Sequence, residues 1–241
     1  MQEAAFRATR LDWTYRLLDV EPESLAPTVQ QLRDPEWAGA NVTIPYKQTV
    51  LALLDDVDST GRGVGAVNLI RREGRRLLGS NTDVDGIRAA LAELGMTPSA
   101  DLDIVVLGVG GSARACAVAF AGARITWVSR GSSRPALGGN VVSWEGPQWH
   151  ELARAADLLV NTTPIGREGD LPCAPEDLPR EGSVIDLVYA EPTTPLVAAA
   201  RAAGRPAADG WTVLLGQGAA TFEAWTGLDA PLAAMRAALP T

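Results

Sequence analysis

The chain contains twenty arginines and a single lysine, Lys47. Where charge alone is needed this protein uses arginine, so the lone lysine invites a chemical explanation. A lysine can give up its proton when desolvated, whereas an arginine effectively cannot. Lys47 closes the stretch "NVTIPYK". Pro45 suits the first position of a helix, which puts Lys47 in the first helical turn, beside the positive end of the helix dipole. A lysine in that setting suits proton exchange, and it needs a carboxylate to orient it. Asp83, in "GSNTD", is one candidate; Asp55 and Asp56 are two others.

A second constellation binds rather than reacts. In "DIVVLGVGGSARACAVAFAGARITWVSR" the apolar run 104–107 enters Gly108, Val109, Gly110, Gly111, Ser112 and Ala113, and another strand follows at 125–128. This is G-x-G-x-x-(G/A) between a strand and a helix. Glycines at 108 and 110 permit a tight turn and close approach to a pyrophosphate. Ala113 lets the helix pack on the strand, and the helix N-terminus faces the anion. About 20 residues after the first glycine an NAD site carries an acid for the ribose hydroxyl. Here the chain reads Ser129, Arg130, Gly131, Ser132, Ser133, Arg134. Two guanidiniums and several hydroxyls, with no acid, favour the 2′-phosphate of NADP. Two later strands end at Asn161-Thr162-Thr163 and at 186–189. In a doubly wound sheet both ends face the cofactor crevice, making Thr162 and Leu187 cofactor-site candidates.

The elements that must position these groups alternate between helix and strand. A helix near 2–11 is followed by a strand at 13–20, a helix at 22–33, a strand at 39–45 and a helix at 46–54. "AVNLIRRE" and "RRLLGSN", joined at Glu73-Gly74, read as a hairpin. A helix then opens with Asp83 or Asp85 as its cap and stops at Gly95. Alternation restarts at "DIVVLG" and runs to "RPAADG", and two helices close the chain. The class is α/β, in two lobes: 1–84, joined by the C-terminal helices of about 216–241, and 85–215. A parallel α/β unit usually opens with a strand, so an element is expected ahead of the first helix.

Composition removes other classes. The formal charge of −8 argues against nucleic acid, whose affinity rests on clustered Lys and Arg. No apolar run approaches the roughly 20 residues that span a bilayer, so the expectation is a cytoplasmic protein without a membrane partner. Cys116 and Cys173 are too few for a zinc cluster and read as buried small residues, and no metal is expected. His150, the only histidine, reads as a surface or capping residue in "PQWHEL". That disfavours Ser-His-Asp chemistry and histidine-based metal sites.

Taken in order, "NVTIPYK", "GAVN", "NTD", "GVGGSARA", "SRGSSR", "NTTPIG", "DLVY" and "DGWTVLLGQGA" resemble the shikimate dehydrogenase family, from Ala4 to the C-terminus. The resemblance implies an N-terminal α/β substrate-binding domain and a Rossmann-like doubly wound NADP-binding domain. It implies Lys47 and Asp83 as the catalytic pair, and Thr43, Asn68, Tyr189 and Gln217 as substrate contacts. The cofactor set becomes Gly108, Val109, Gly110, Gly111 and Ser112 at the pyrophosphate, Ser129, Arg130 and Arg134 at the 2′-phosphate end, Thr162 and Leu187 at the strand ends, and Gly210 near the nicotinamide. The implied reaction is reversible reduction of 3-dehydroshikimate by NADPH, in a monomer or homodimer. Quinate, an aminated shikimate analogue, or NADP binding without catalysis are the alternatives. The chain departs from the family pattern at Ser129, at Gly131, at Arg167 (commonly Met) and at Thr221 (often Gln). Family members also begin with a strand and a Ser-x-Ser-Pro loop that binds the substrate carboxylate; both are expected ahead of Met1.

Overall fold

The computed structural model describes residues 1–131 and 138–240. The chain divides into two compact units, residues 1–86 with 215–240 and residues 87–214.

The first unit contains α1 (Gln2–Ala8), α2 (Leu25–Gln31), β1 (Gly39–Asn41), β2 (Asp56–Val57), α3 (Ser59–Val64), β3 (Leu69–Glu73) and β4 (Arg76–Ser80), with the start of α4 (Asp83–Glu93). The strands form one sheet in the order β1-β3-β4-β2, in which β2 runs parallel to β4 and the other pairs are antiparallel. The expected hairpin is β3 and β4, with Glu73 opposite Arg76 and Gly74 at φ +61° as the first of two turn residues. Glycine at that position is what a type II′ turn requires. One core gathers Leu25, Val29, Val50, Val67, Ile70 and Leu77 beneath this sheet.

Two sequence expectations fail in this unit. Residues 13–20 form no strand. A strand exists through its ladder partner, and this segment has none among the described residues. A cavity of about 680 Å³ is lined by residues 12–21 on one side and 35–46 on the other. Only side chains bridge it, the Tyr15 hydroxyl donating to Asn41 Oδ1 (3.1 Å) and the Tyr46 hydroxyl to the Val20 carbonyl (2.5 Å). The alternation of Trp13 and Tyr15 instead serves ring contacts with Phe6 and Trp225. Nor does a helix span 46–54. The Tyr46 N–H closes a turn on the Thr43 carbonyl, and only a 3₁₀ segment, Thr49–Leu53, follows. Lys47 therefore lies in a turn, with no α-helix dipole behind it. The strand expected at 39–45 is confined to β1, although the Val42 N–H still reaches the Asn68 carbonyl at 2.8 Å.

The second unit adds β5 (Asp103–Leu107), α5 (Gly111–Ala119), β6 (Arg124–Ser129), β7 (Asn140–Ser143), α6 (Gln148–Ala155), β8 (Leu158–Asn161), β9 (Ser183–Asp186), α7 (Pro195–Ala202) and β10 (Ala207–Ala208). The chain ends in α8 (Gly210–Thr226), whose first residues belong to this unit, and α9 (Leu232–Arg236), which packs in the first. Six parallel strands run in the order β10-β9-β8-β5-β6-β7. Strand order reverses between β5 and β8, the switch point at which doubly wound sheets open a crevice at their carboxyl ends. Both β8 and β9 are buried at every residue, as a sheet covered on both faces demands. Cys116 and Cys173 are buried, and burial pushes the Cys173 thiol up to about 12. His150, in the first turn of α6, meets Asp177 Oδ2 at 2.7 Å.

Strand β9 delivers a fully buried carboxylate, Asp186. Its Oδ1 accepts from Asn161 Nδ2 (2.9 Å) and the Val188 N–H (3.0 Å), and its Oδ2 from the Thr194 hydroxyl (2.7 Å). Burial raises its pKa above the ordinary 3.8 despite these donors. The folded chain thus holds this proton more tightly than the unfolded chain. The associated stability is fully present below the ordinary value and is lost as pH rises through the raised one. Asp186→Asn keeps the shape and removes the charge. Urea unfolding between about pH 4 and 7 should find the variant gaining on the parent as pH rises, while an unchanging difference counts against the assignment.

Candidate active site and nucleotide-binding loop

In the first unit, Lys47 Nζ lies 2.6 Å from Asp83 Oδ2, with both side chains slightly more than a quarter exposed. Asp55 and Asp56, the other candidate partners, pair with Arg33 and Arg62 instead. Asp83 opens α4, where an acidic side chain complements the helix dipole. It is no cap: its second oxygen, Oδ1, accepts from Asn68 Nδ2 at 2.8 Å. The backbone pins both partners to the same sheet. The Lys47 carbonyl accepts the Val67 N–H at 2.7 Å, and the Asn68 N–H bonds the Ser80 carbonyl at the base of the hairpin. The Asp83 N–H is fixed by Asn81 Oδ1 (3.1 Å), whose own amide donates to the Ala66 carbonyl. Lys47, Asn68 and Asp83, read from three separate motifs, thus form one hydrogen-bonded group. It can hold a proton on Nζ, aim it, and yield it to a neighbouring oxygen.

Of the other substrate candidates in this unit, Thr43 is exposed at the turn before Lys47, and Gln217 is half-buried on α8. Thr82, which sequence reasoning missed, and Thr221, noted there only as a departure from the family pattern, carry weight. Both are buried, their hydroxyls lie 3.2 Å apart, and Thr82 donates to Asn68 through its N–H (2.7 Å) and hydroxyl (3.3 Å). A threonine one turn beyond Gln217 on the same face of α8 was the available signal at 221.

In the second unit, Gly108 leaves β5 at φ +101°, a conformation L side chains rarely adopt. A side chain there would also meet Thr162 Oγ1 at 2.8 Å. Thr162 closes the turn by donating its hydroxyl to the Leu107 carbonyl at 2.8 Å. At Gly110 and Gly111 a Cβ would meet nothing within 4 Å, so the first turn of α5 is open, whereas Ala113 is fully buried. The first amides of a helix lack intrahelical partners, and this unobstructed end fits a pyrophosphate. Val109 and Ser112 border it, half-buried and exposed respectively.

The other cofactor candidates separate. Arg130 is exposed just past β6. Ser129 is buried, its hydroxyl accepting from the Gly131 N–H at 3.1 Å, so it shapes the turn. Arg134 lies outside the described residues. Leu187 is half-buried beyond β9. A Cβ on Gly210 would come within 2.6 Å of the Val188 carbonyl, which makes glycine obligatory there for close backbone packing. Tyr189 is 48% exposed and its ring centre lies 4.8 Å from that of Trp211. Among the described residues no cluster of His, Cys, Asp and Glu could hold a metal ion, and no helix is long and apolar enough to cross a membrane.

Comparison with known proteins gives a family. Residues 1–70 match the family model of the shikimate dehydrogenase substrate binding domain, and residues 210–239 that of the shikimate 5′-dehydrogenase C-terminal domain. The NADP(+) shikimate dehydrogenase of Rubrobacter xylanophilus is 41% identical, over 99% of this chain and 89% of its own. That of Geobacter metallireducens is 39% identical, over 98% and 88%. The shikimate 5-dehydrogenase of Thermus thermophilus, solved with NADP(H) and shikimate, superposes with a TM-score of 0.87 at 33% identity, over 98% of this chain and 90% of its own. The 5-ketofructose reductase of a Gluconobacter strain, solved without ligand, superposes at 0.84 with 36% identity and the same coverage. On these similarities, at close to full length, the chain belongs to the shikimate dehydrogenase family.

Proposed function

We propose that this protein is an NADP-dependent shikimate dehydrogenase, an oxidoreductase of aromatic amino-acid biosynthesis that interconverts 3-dehydroshikimate and shikimate. The observation that carries the reading is the Lys47–Asp83–Asn68 group, in a chain alignable almost end to end with relatives of that name. The first unit is the substrate-binding domain and residues 87–214 the NADP-binding domain. Thr43, Asn68, Gln217 and Tyr189 are assigned to substrate. The open turn from Gly108 to α5 is assigned to the pyrophosphate, and Arg130 with Arg134 to the 2′-phosphate. The enzyme works in the cytoplasm on a small soluble substrate, as a monomer or homodimer.

When bound, NADPH supplies the hydride that reduces the ring ketone. As charge develops on the ketone oxygen, Lys47 Nζ gives it a proton. Asp83 Oδ2 keeps Nζ aimed, and the Asn68 amide keeps the carboxylate from rotating away. In the reverse direction Lys47 takes the hydroxyl proton as the hydride leaves. Arginine could supply the charge at this position but could not cycle the proton.

A second reading follows from the 36% identity to a 5-ketofructose reductase: the same proton-transfer pair could serve reduction of an open sugar ketone. Following NADP⁺ reduction with shikimate and quinate, and NADPH oxidation with 5-ketofructose, separates the readings. Shikimate is expected to be the best substrate, and clear preference for the sugar reverses the assignment. Lys47→Ala and Asp83→Asn should each lower kcat by about 10²–10⁴-fold, the usual worth of a positioned acid–base group. Arg130→Ala should raise KM for NADP⁺ by roughly 10–100-fold, the range of a lost charge-assisted bond, and leave weak NAD⁺ use unchanged. An equal change for both cofactors would remove Arg130 from the 2′-phosphate site.

A further inference from the structure

Behind Asn68 the hydrogen bonds continue, and their direction is fixed. The Tyr15 hydroxyl donates to Asn41 Oδ1 at 3.1 Å, which orients that amide. Asn41 Nδ2 then donates to the Asn68 carbonyl (3.2 Å) and to Thr221 Oγ1 (3.3 Å). Thr221 is completely buried in α8, with its oxygen 3.2 Å from Thr82 Oγ1. A hydroxyl has one proton to give. Thr82 gives its proton to Asn68 Oδ1, so between the two threonines Thr221 must be the donor. The Thr82 N–H also reaches Asn68 Oδ1, at 2.7 Å. With that oxygen held by two donors, the Asn68 amino group can only face Asp83 Oδ1. Every side-chain donor from Tyr15 onward points toward the carboxylate that holds Lys47, and such chains polarise one another. Burial pushes the Tyr15 phenol up, so the chain begins on a group that keeps its proton.

We infer that Thr221 is a positioning residue for proton transfer: through Thr82 and Asn68 it locks Asp83, and so Lys47, in the aligned geometry. The inference rests on the reading of Lys47 and Asp83 as the proton-transfer pair. Thr221 touches neither of them, and α8 brings it to the network 139 residues beyond Thr82. A threonine that merely fills space would be replaceable by isosteric valine.

Thr221→Val and Thr221→Ser separate the two roles. Because Lys47 is the only lysine, trinitrobenzenesulfonate labelling of the peptide that carries it reports directly on its amine, with or without turnover. In folded protein, Thr221→Val should label about 3–10-fold faster than the parent, the equivalent of one hydrogen bond lost from the network, and Thr221→Ser should label at the parental rate. In the shikimate assay, Thr221→Val should lower kcat by a similar factor with KM within about twofold, and serine should restore it. Parental labelling in the valine variant, or a serine variant that behaves like valine, overturns the inference. If the valine variant does not fold, Tyr15→Phe carries the test: labelling about twofold faster supports the inference, and an unchanged rate overturns it. A parent that labels as expected but does not oxidise shikimate overturns the proposed reaction and leaves the positioning role standing.

Discussion

The first unit is organised around one ion pair, Lys47 with Asp83. A partly exposed pair of this kind adds little stability by itself, because solvent screens it and a lysine stem is costly to immobilise. Its geometry must therefore be imposed from outside. The sheet does so through backbone, with the Lys47 carbonyl on the Val67 N–H and the Asn68 N–H on the Ser80 carbonyl. Helix α4 does so by starting at Asp83. The hairpin β3–β4 links the two, since Asn68 immediately precedes β3 and Asn81 immediately follows β4. A turn, a hairpin and a helix start converge within one short stretch of sheet.

The two units were legible in the sequence to different degrees, for a physical reason. In the second unit the strands are short apolar runs buried on both faces, so their signal is local and survives any neighbour. Run 104–107 reappears as the buried part of β5, and run 125–128 lies within β6, which is buried from Trp127 to Ser129. In the first unit the sheet has an edge, and the signals there are conditional. Trp13 and Tyr15 alternate as a strand would, but their rings find Phe6 and Trp225, and no backbone ladder forms. Pro45 is compatible with a helix start and equally with a turn. The Thr43–Tyr46 hydrogen bond decides for the turn, and no local pattern announced it.

The site divides in the same way. Lys47 stood out by composition, and Asp83 and Asn68 by motif, so the reacting group was visible before its geometry was. Three carboxylates were open as partners for Lys47; Asp55 is taken by Arg33, 22 residues away in the chain, and Asp56 by Arg62, pairings that no motif announced. Ser129 is a different case. It lies in the right loop, but the pleat turns its hydroxyl inward to Gly131, and a one-residue alternation at the end of β6 is beyond what a motif can specify. Thr82 and Thr221 were the hardest to see, because their meaning comes from two segments far apart in the chain meeting in one buried spot.

Asp186 and Asp83 show how surroundings define the use of a carboxylate. Asp186 is fully buried and meets only neutral donors, Asn161, Thr194 and the Val188 N–H, so burial dominates and raises its proton affinity. It ties the ends of β8 and β9 to the start of α7, and nothing about that task needs charge. Asp83 has one neutral donor, the Asn68 amide, but also an ammonium at 2.6 Å and a route to solvent. On the proposed reading charge there is the function: it aims the ammonium and steadies it while the proton moves. The one lysine in an arginine-rich chain stands opposite the carboxylate that can make use of a removable proton. Asp186 has no cation facing it among its hydrogen-bond partners.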